Sequence, residues 1–209
     1  MQARGGRAAG ASLIELMVGL GVLAGLLLLA VPSFGDWIRN TRLRSTAESL
    51  RAGLQTARSE AIRRNAHTRL QLVTSLDGSC ALSNAGPYWV VNLGTTQSPA
   101  QACGNAISST VSPYLLQKSP VISSSSADVT LTATRPAIAF DGLGRQSKTS
   151  NPDTEIRTLT VELKSASGSC VTANGSGSVR CLNVLVSPSG DARICDPARS
   201  ASATDPMTC

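Results

Sequence analysis

Residues 13–31 read LIELMVGLGVLAGLLLLAV, an apolar run broken by one charge, Glu15. At 19 residues the run is just long enough to span a bilayer as a helix. The ten residues before Ala11, MQARGGRAAG, carry Arg4 and Arg7 and no acid. Such a basic leader stays in the cytoplasm, which puts everything after residue 33 on the other side of the membrane. After Pro32 and Ser33 the chain turns polar and arginine-rich. A cleaved secretory signal would carry small residues in an A-x-A pattern after the apolar run, and here the run ends in AVPSF. A plain anchor fits the length but leaves Glu15 unexplained, because a charge in hydrocarbon costs on the order of 2.5–3.5 kcal/mol or more.

A third reading accounts for all of these features. The stretch G-A-S-L-I-E-L-M-V, residues 10–18, resembles the class III leader junction of type IV prepilins. The resemblance implies that a prepilin peptidase cuts after Gly10, on the cytoplasmic side, and that Ala11 becomes the N-methylated mature N-terminus. It also makes Glu15 the retained glutamate five residues after the cut, and Pro32 falls where the family commonly has a proline. Ala11 departs from the family's usual phenylalanine, which bears on methylation more than on cleavage. A carboxylate in a dry environment needs a partner. In a filament that partner is the α-ammonium of a neighbouring subunit at Ala11, a pairing that sets axial register. The alternative is a carboxylate snorkelling toward the cytoplasmic face.

The helical pattern continues past Pro32. Leu43, Ala47, Leu50, Leu54, Ala57, Ala61 and Ile62 recur at helical spacing and form one apolar face. Seven arginines between Arg39 and Arg64 occupy the rest, opposed by Asp36, Glu48 and Glu60. One helix over residues 12–65 is predicted, roughly 80 Å long at about 1.5 Å per residue, with a kink or local melting at Pro32. Gly19, Gly21 and Gly25 lower helix stability and permit close helix approach.

From Thr68 the period changes from helical to alternating, and turn residues appear. Strands are predicted over residues 68–75, 87–93, 129–133, 136–140, 155–164 and 181–187. Leu159, Val161 and Leu163 share one face of their strand, as do Leu182, Val184 and Val186. D-G-L-G-R at 141–145 and S-P-S-G-D at 187–191 read as tight turns. Segments 94–127 and 165–180, rich in Ser, Gly, Thr and Pro, read as loops. The fold class is therefore α+β: a long N-terminal helix packed on an antiparallel β-sheet domain. The divisions are a leader over 1–10, a transmembrane or filament-core half-helix over 11–33, an amphipathic half over 34–66 and a β-rich domain over 67–209.

A narrower resemblance rests on three segments. A-R-S-E-A-I-R-R-N at 57–65 followed by the strand TRLQLV, Phe140 with D-G-L-G-R, and the tail V-S-P-S-G-D-A-R-I-C-D-P at 186–197 are similar to the GspH, FimT and FimU group of minor pilins and minor pseudopilins. Some members of that group take up DNA through a G-R-x-R motif. The matching residues here are Gly190, Asp191, Ala192 and Arg193, so Asp191 stands where the first arginine belongs. Arg193, Arg180 and Arg199 are the candidate DNA-binding residues, by salt-dependent phosphate contact.

All six cysteines lie at or after Cys80, an even count that reads as disulfides in an oxidising compartment. Nearest neighbours are the expected pairs: Cys80 with Cys103, Cys170 with Cys181, Cys195 with Cys209. Zinc fits poorly, since no C-x-x-C pair exists and the one histidine, His67, is remote in sequence from the cysteines. No phosphate-cradling loop or activated nucleophile marks an enzyme, and no cofactor or metal is expected. The net charge of +6 is compatible with nucleic acid, anionic lipid or an acidic partner and does not choose among them. The expected role is a minor pilin of the FimU/FimT kind that primes or caps type IV pilus assembly. The alternatives are the H-type minor pseudopilin of a type II secretion system and a DNA-binding pilin for DNA uptake; a major pilin fits the narrower markers less well. Expected partners are the prepilin peptidase, other minor pilins or pseudopilins, the major pilin, the inner membrane and, under the DNA-uptake alternative, DNA. The expected location is the inner membrane, single-pass with a periplasmic domain, and then the pilus or pseudopilus at the cell surface.

Overall fold

The computed structural model describes residues 12–120, 128–150, 154–199 and 205–209, with the side chains of residues 28–33 outside that set. Gly10 and Ala11 also lie outside the described residues. The chain divides into two compact units, Met1–Ile38 and Arg39–Cys209.

The first element is one α-helix, α1, Leu13–Arg64, which contributes to both units. The Ser12 carbonyl accepts the Leu16 N–H at 3.1 Å and opens the helix. The backbone stays helical at residue 32, so the local melting expected at Pro32 is not seen. A proline removes one N–H from the ladder, and the rest of the ladder holds the turn. In the first unit the large apolar side chains from Leu13 to Leu27 are exposed, among them Ile14, Met17, Leu20 and Leu23. Among the described residues no helix is long and apolar enough to cross a membrane. The run expected to span it, residues 13–31, extends into the residues whose side chains are not described.

In the second unit α1 ends at a left-handed Asn65, φ 47°. Ala66 N–H reaches the Ala61 carbonyl at 3.1 Å and Asn65 N–H the Ile62 carbonyl at 3.2 Å, which satisfies the last carbonyls. Arg63 and Arg64 complement the dipole at this end and both pair with Glu60. These hydrogen bonds hold the Glu60 carboxyl below the usual carboxylate range.

Nine strands follow among the described residues: β1 Thr68–Val73, β2 Tyr88–Leu93, β3 Leu115–Lys118, β4 Val129–Ala133, β5 Ala137–Phe140, β6 Gln146–Ser147, β7 Leu159–Ser165, β8 Leu182–Val186 and β9 Ala192–Cys195. They form two antiparallel sheets, in the orders β3-β2-β1-β5-β6 and β4-β7-β8-β9. One apolar core joins Leu43, Leu50 and Leu54 of α1 to Leu70 and Leu72 of β1, Leu163 of β7 and Val184 of β8. The helix face lies inside this core as the spacing predicts, apart from Ile62. That side chain is 51% exposed, because it follows Ala61 by one residue and so points about 100° away round the helix.

β1 is buried along its whole length. Leu70 and Leu72 face the helix, while Val73 faces a second cluster with Val90, Leu115 and the Cys80 and Cys103 sulfurs. The segment after β2 is therefore a lid on the outer face of the first sheet rather than an open loop, and β3 lies within it. The four residues of β3, LLQK, carry no alternation to mark them. β6 and β9 were likewise not separated as strands by pattern, being two and four residues long. β7 starts at Leu159 rather than residue 155.

Candidate functional site

The three segments that carried the narrower resemblance meet in space. Arg58, on α1, donates from Nε to the Gly144 carbonyl at 2.9 Å and from Nη2 to the Ser189 carbonyl at 3.5 Å. One guanidinium thus clamps the turns at 141–145 and 187–191. Asp141 Oδ1 accepts the Leu143 and Arg145 N–H groups, each at 2.9 Å, and closes the first turn. Burial raises the Asp141 pKa, but these N–H groups outweigh it and hold the carboxyl below its ordinary value. Gly144 and Gly190 have φ of +75° and +85°, and a Cβ on Gly190 would lie 2.1 Å from the Gly144 carbonyl oxygen. Only glycine lets the two turns touch there. The marker residues near the end of the helix and in the hairpins are, in this chain, an internal brace.

The arginines proposed from sequence gather in a different place. Arg180, Arg193 and Arg199 line one groove of about 570 Å³, together with Arg44 and Arg51 of α1. β9 supplies Arg193, the segment before β8 supplies Arg180, and the chain after β9 supplies Arg199. Arg44 and Arg51 lie seven residues apart, two turns along one side of α1. Three of these guanidinium groups already hold carboxylates: Arg44 with Glu48 at 2.9 Å, Arg180 with Asp196 at 3.1 Å, and Arg199 with Asp205 at 2.5 Å. The Met207 N–H and Arg199 hold the Asp205 carboxyl below its ordinary pKa. Arg51 donates to the Ala192 carbonyl at 3.1 Å and Arg193 to the Thr208 carbonyl at 3.4 Å. Among the described residues neither of those two has a carboxylate partner. The floor is apolar, from Leu182, Ile194 and Met207. Sequence reading named three of the five arginines and missed Arg44 and Arg51, whose position follows only from the sheet that packs beside them.

Among the processing and assembly residues, Glu15 sits in the first turn of α1, in the first unit. Pro32 lies within the same helix, with its side chain outside the described set, and Gly10 and Ala11 precede the described residues. His67 shares a hydrogen bond of 3.0 Å between Nδ1 and the Ser147 hydroxyl and lies beside the 141–145 turn. The cysteines form three disulfides, Cys80–Cys103, Cys170–Cys181 and Cys195–Cys209, and none remains as a thiol.

A comparison with curated proteins returns no match. Two crystal structures of the type IV minor pilin FimU of Pseudomonas aeruginosa strain PAO1 are similar to this chain. The P21 form has 20% identity and a TM-score of 0.47, covering 78% of this chain and 94% of that one. The P65 form has 18% identity and a TM-score of 0.42, covering 77% and 97%. The family model described as type II transport protein GspH matches residues 46–190, which take in most of the helix face, β1 to β8, the first braced turn and the second as far as Gly190. On that match over most of its length, the chain belongs to the GspH family.

Proposed function

We propose that this chain is a minor type IV pilin of the FimU/FimT kind, processed after Gly10 and packed into a filament through α1. The observation that carries the reading is the first unit. Its large apolar side chains from Leu13 to Leu27 are exposed, with Glu15 as the one charge in that stretch. Such a surface is unstable in water and suits hydrocarbon or a bundle of like helices. In that setting the membrane holds the helix first and the filament core receives it afterwards. The Glu15 carboxylate then pairs with the α-ammonium on Ala11 of a neighbouring subunit, and the pair fixes each subunit's axial position. The domain from Arg39 onward stands outside, where three disulfides suit an oxidising compartment. Its role is assembly, with no catalytic step.

A second reading is the minor pseudopilin of a type II secretion system, favoured by the description of the matching family. Deleting the gene and scoring surface pili and exoprotein secretion together separates the two. Loss of pili with normal secretion supports the pilin reading; loss of secretion with intact pili supports the pseudopilin. Within either reading Glu15→Ala is expected to be cleaved normally yet fail to enter the filament, as measured by immunoblot of sheared filaments against membranes. Normal incorporation of that variant would refute the register role.

A further inference from the structure

The groove beside β9 contains a stretch of strand edge with few internal partners. β9 is the outer strand of the second sheet. The Ser187 N–H donates to the Asp191 carbonyl at 2.9 Å, which makes that pair hydrogen-bonded, so the next pair of the ladder, Val186–Ala192, is not. Ala192 therefore directs its peptide groups outward, where its carbonyl meets Arg51. By the period of two, Ile194 also directs its N–H and C=O outward. Asp196 does the same two residues later, and its N–H takes the Met207 carbonyl at 2.7 Å. Among the described residues the peptide groups of Ile194 have no partner on this side. A short open strand edge thus lies between the Arg51 contact and the C-terminal tail, above an apolar floor and beside the guanidinium groups of Arg51 and Arg193.

We propose that this groove binds an extended acidic segment of another protein, which adds as a strand along the outer edge of β9 and pairs its carboxylates with Arg193. Strand addition supplies backbone hydrogen bonds, and alternate side chains supply selectivity. An alternating segment places apolar side chains on the Ile194 face, toward Leu182 and Met207, and carboxylates on the opposite face, toward Arg193. A nucleic acid backbone suits the site less well. Glu48, Asp196 and Asp205 stand among the arginines and Asp191 precedes Arg193, so a continuous row of phosphates meets carboxylates at intervals. The proposal rests on the groove alone and holds for either filament type.

The test uses the full chain in detergent micelles and follows fluorescence anisotropy in about 50 mM and about 300 mM salt. The probes are a labelled peptide of alternating Glu and Leu, its Lys and Leu counterpart, the Glu peptide with alternate amides N-methylated, and a short DNA duplex. Binding of the Glu peptide alone is expected, with loss on N-methylation and weakening in the higher salt. Arg193→Glu is expected to weaken it by roughly tenfold or more, and Arg193→Lys by much less. Arg193 is exposed, so both variants are expected to keep the wild-type circular dichroism. The proposal is overturned if the Glu peptide binds no better than the Lys peptide, if Arg193→Glu leaves binding unchanged, or if N-methylation has no effect. Displacement of the peptide by the duplex would overturn it in favour of nucleic acid.

Discussion

Arg69 shows how far a single residue's role can lie from what its neighbours in sequence suggest. On β1 Arg69 lies on the face opposite Leu70 and Leu72, where an open sheet would leave an arginine in solvent. It is instead fully buried, the largest such side chain among the described residues. Nη1 donates to the Thr95 carbonyl at 3.3 Å and Nη2 to that of Gln97. Gln71 and Asn92 continue the polar layer, and Asn92 Nδ2 reaches the Gln97 and Pro113 carbonyls at 2.9 and 3.3 Å. Burial pushes the guanidinium down to about 10, which leaves it a cation at neutral pH. Arg69→Met removes donors from two carbonyls, and a loss of about 2–4 kcal/mol is expected from the urea midpoint. Asp128 allows a pH experiment. The Ser167 hydroxyl at 2.6 Å and the Ser165 hydroxyl at 2.9 Å donate to it, with Arg39 at 3.7 Å, and together they hold its carboxyl below the ordinary carboxylate range. A depressed carboxylate stabilises the fold above its unfolded pKa, and that stability is lost as pH falls through the lower, folded value. The thermal midpoint is therefore expected to hold from neutral pH to about pH 5 and then to fall in acid. Asp128→Asn should start lower at neutral pH and show a shallower acid slope.

Elements were far more legible than single residues. The apolar face of α1 and the inward faces of β7 and β8 follow from spacing alone, because burial on one side writes its period into the sequence. The turns at 141–145 and 187–191 were marked by their glycines and aspartates. What pattern could not supply was the lid containing β3, because four residues are too few to display a period. It also could not supply the distance between helix and sheet. Gly53 sets that distance: a Cβ there would lie 2.6 Å from the Trp89 ring. In sequence Gly53 reads only as a weak point in a helix. In the structure it is the gap that admits an indole. Gly53→Val is expected to cost roughly 1–3 kcal/mol or more in chemical denaturation, although valine is the better helix former. The brace at Arg58 belongs to this scale as well. The sequence markers that carry the resemblance are those that hold helix, hairpin and hairpin together, and of the groove arginines Arg193 alone lies in one of those segments.

At the scale of the molecule, the groove depends on the last five residues being held beside β9. Asp196 pairs with Thr208 as an isolated bridge, and the Cys195–Cys209 bond closes a separation of 14 residues. Replacing both cysteines by serine is expected to lower stability by roughly 2–4 kcal/mol, read from the denaturant midpoint, with the other two bonds intact. The same variant is expected to lose affinity for the acidic peptide. The candidate site was half visible in sequence. Arg180, Arg193 and Arg199 were named for their charge, but their carboxylate partners and the two helix arginines appear only once the chain is folded.

The three disulfides also carry a consequence for how the chain is made. Cys80 closes on Cys103 before Cys170 is reached, Cys170 on Cys181 before Cys195, and Cys195 on Cys209. The bonds neither nest nor cross. A chain delivered N-terminus first therefore exposes its thiols to an oxidant two at a time, and each newly arrived pair is a native one. Simple vectorial oxidation suffices, with no shuffling of mispaired bonds and no isomerase needed to correct them.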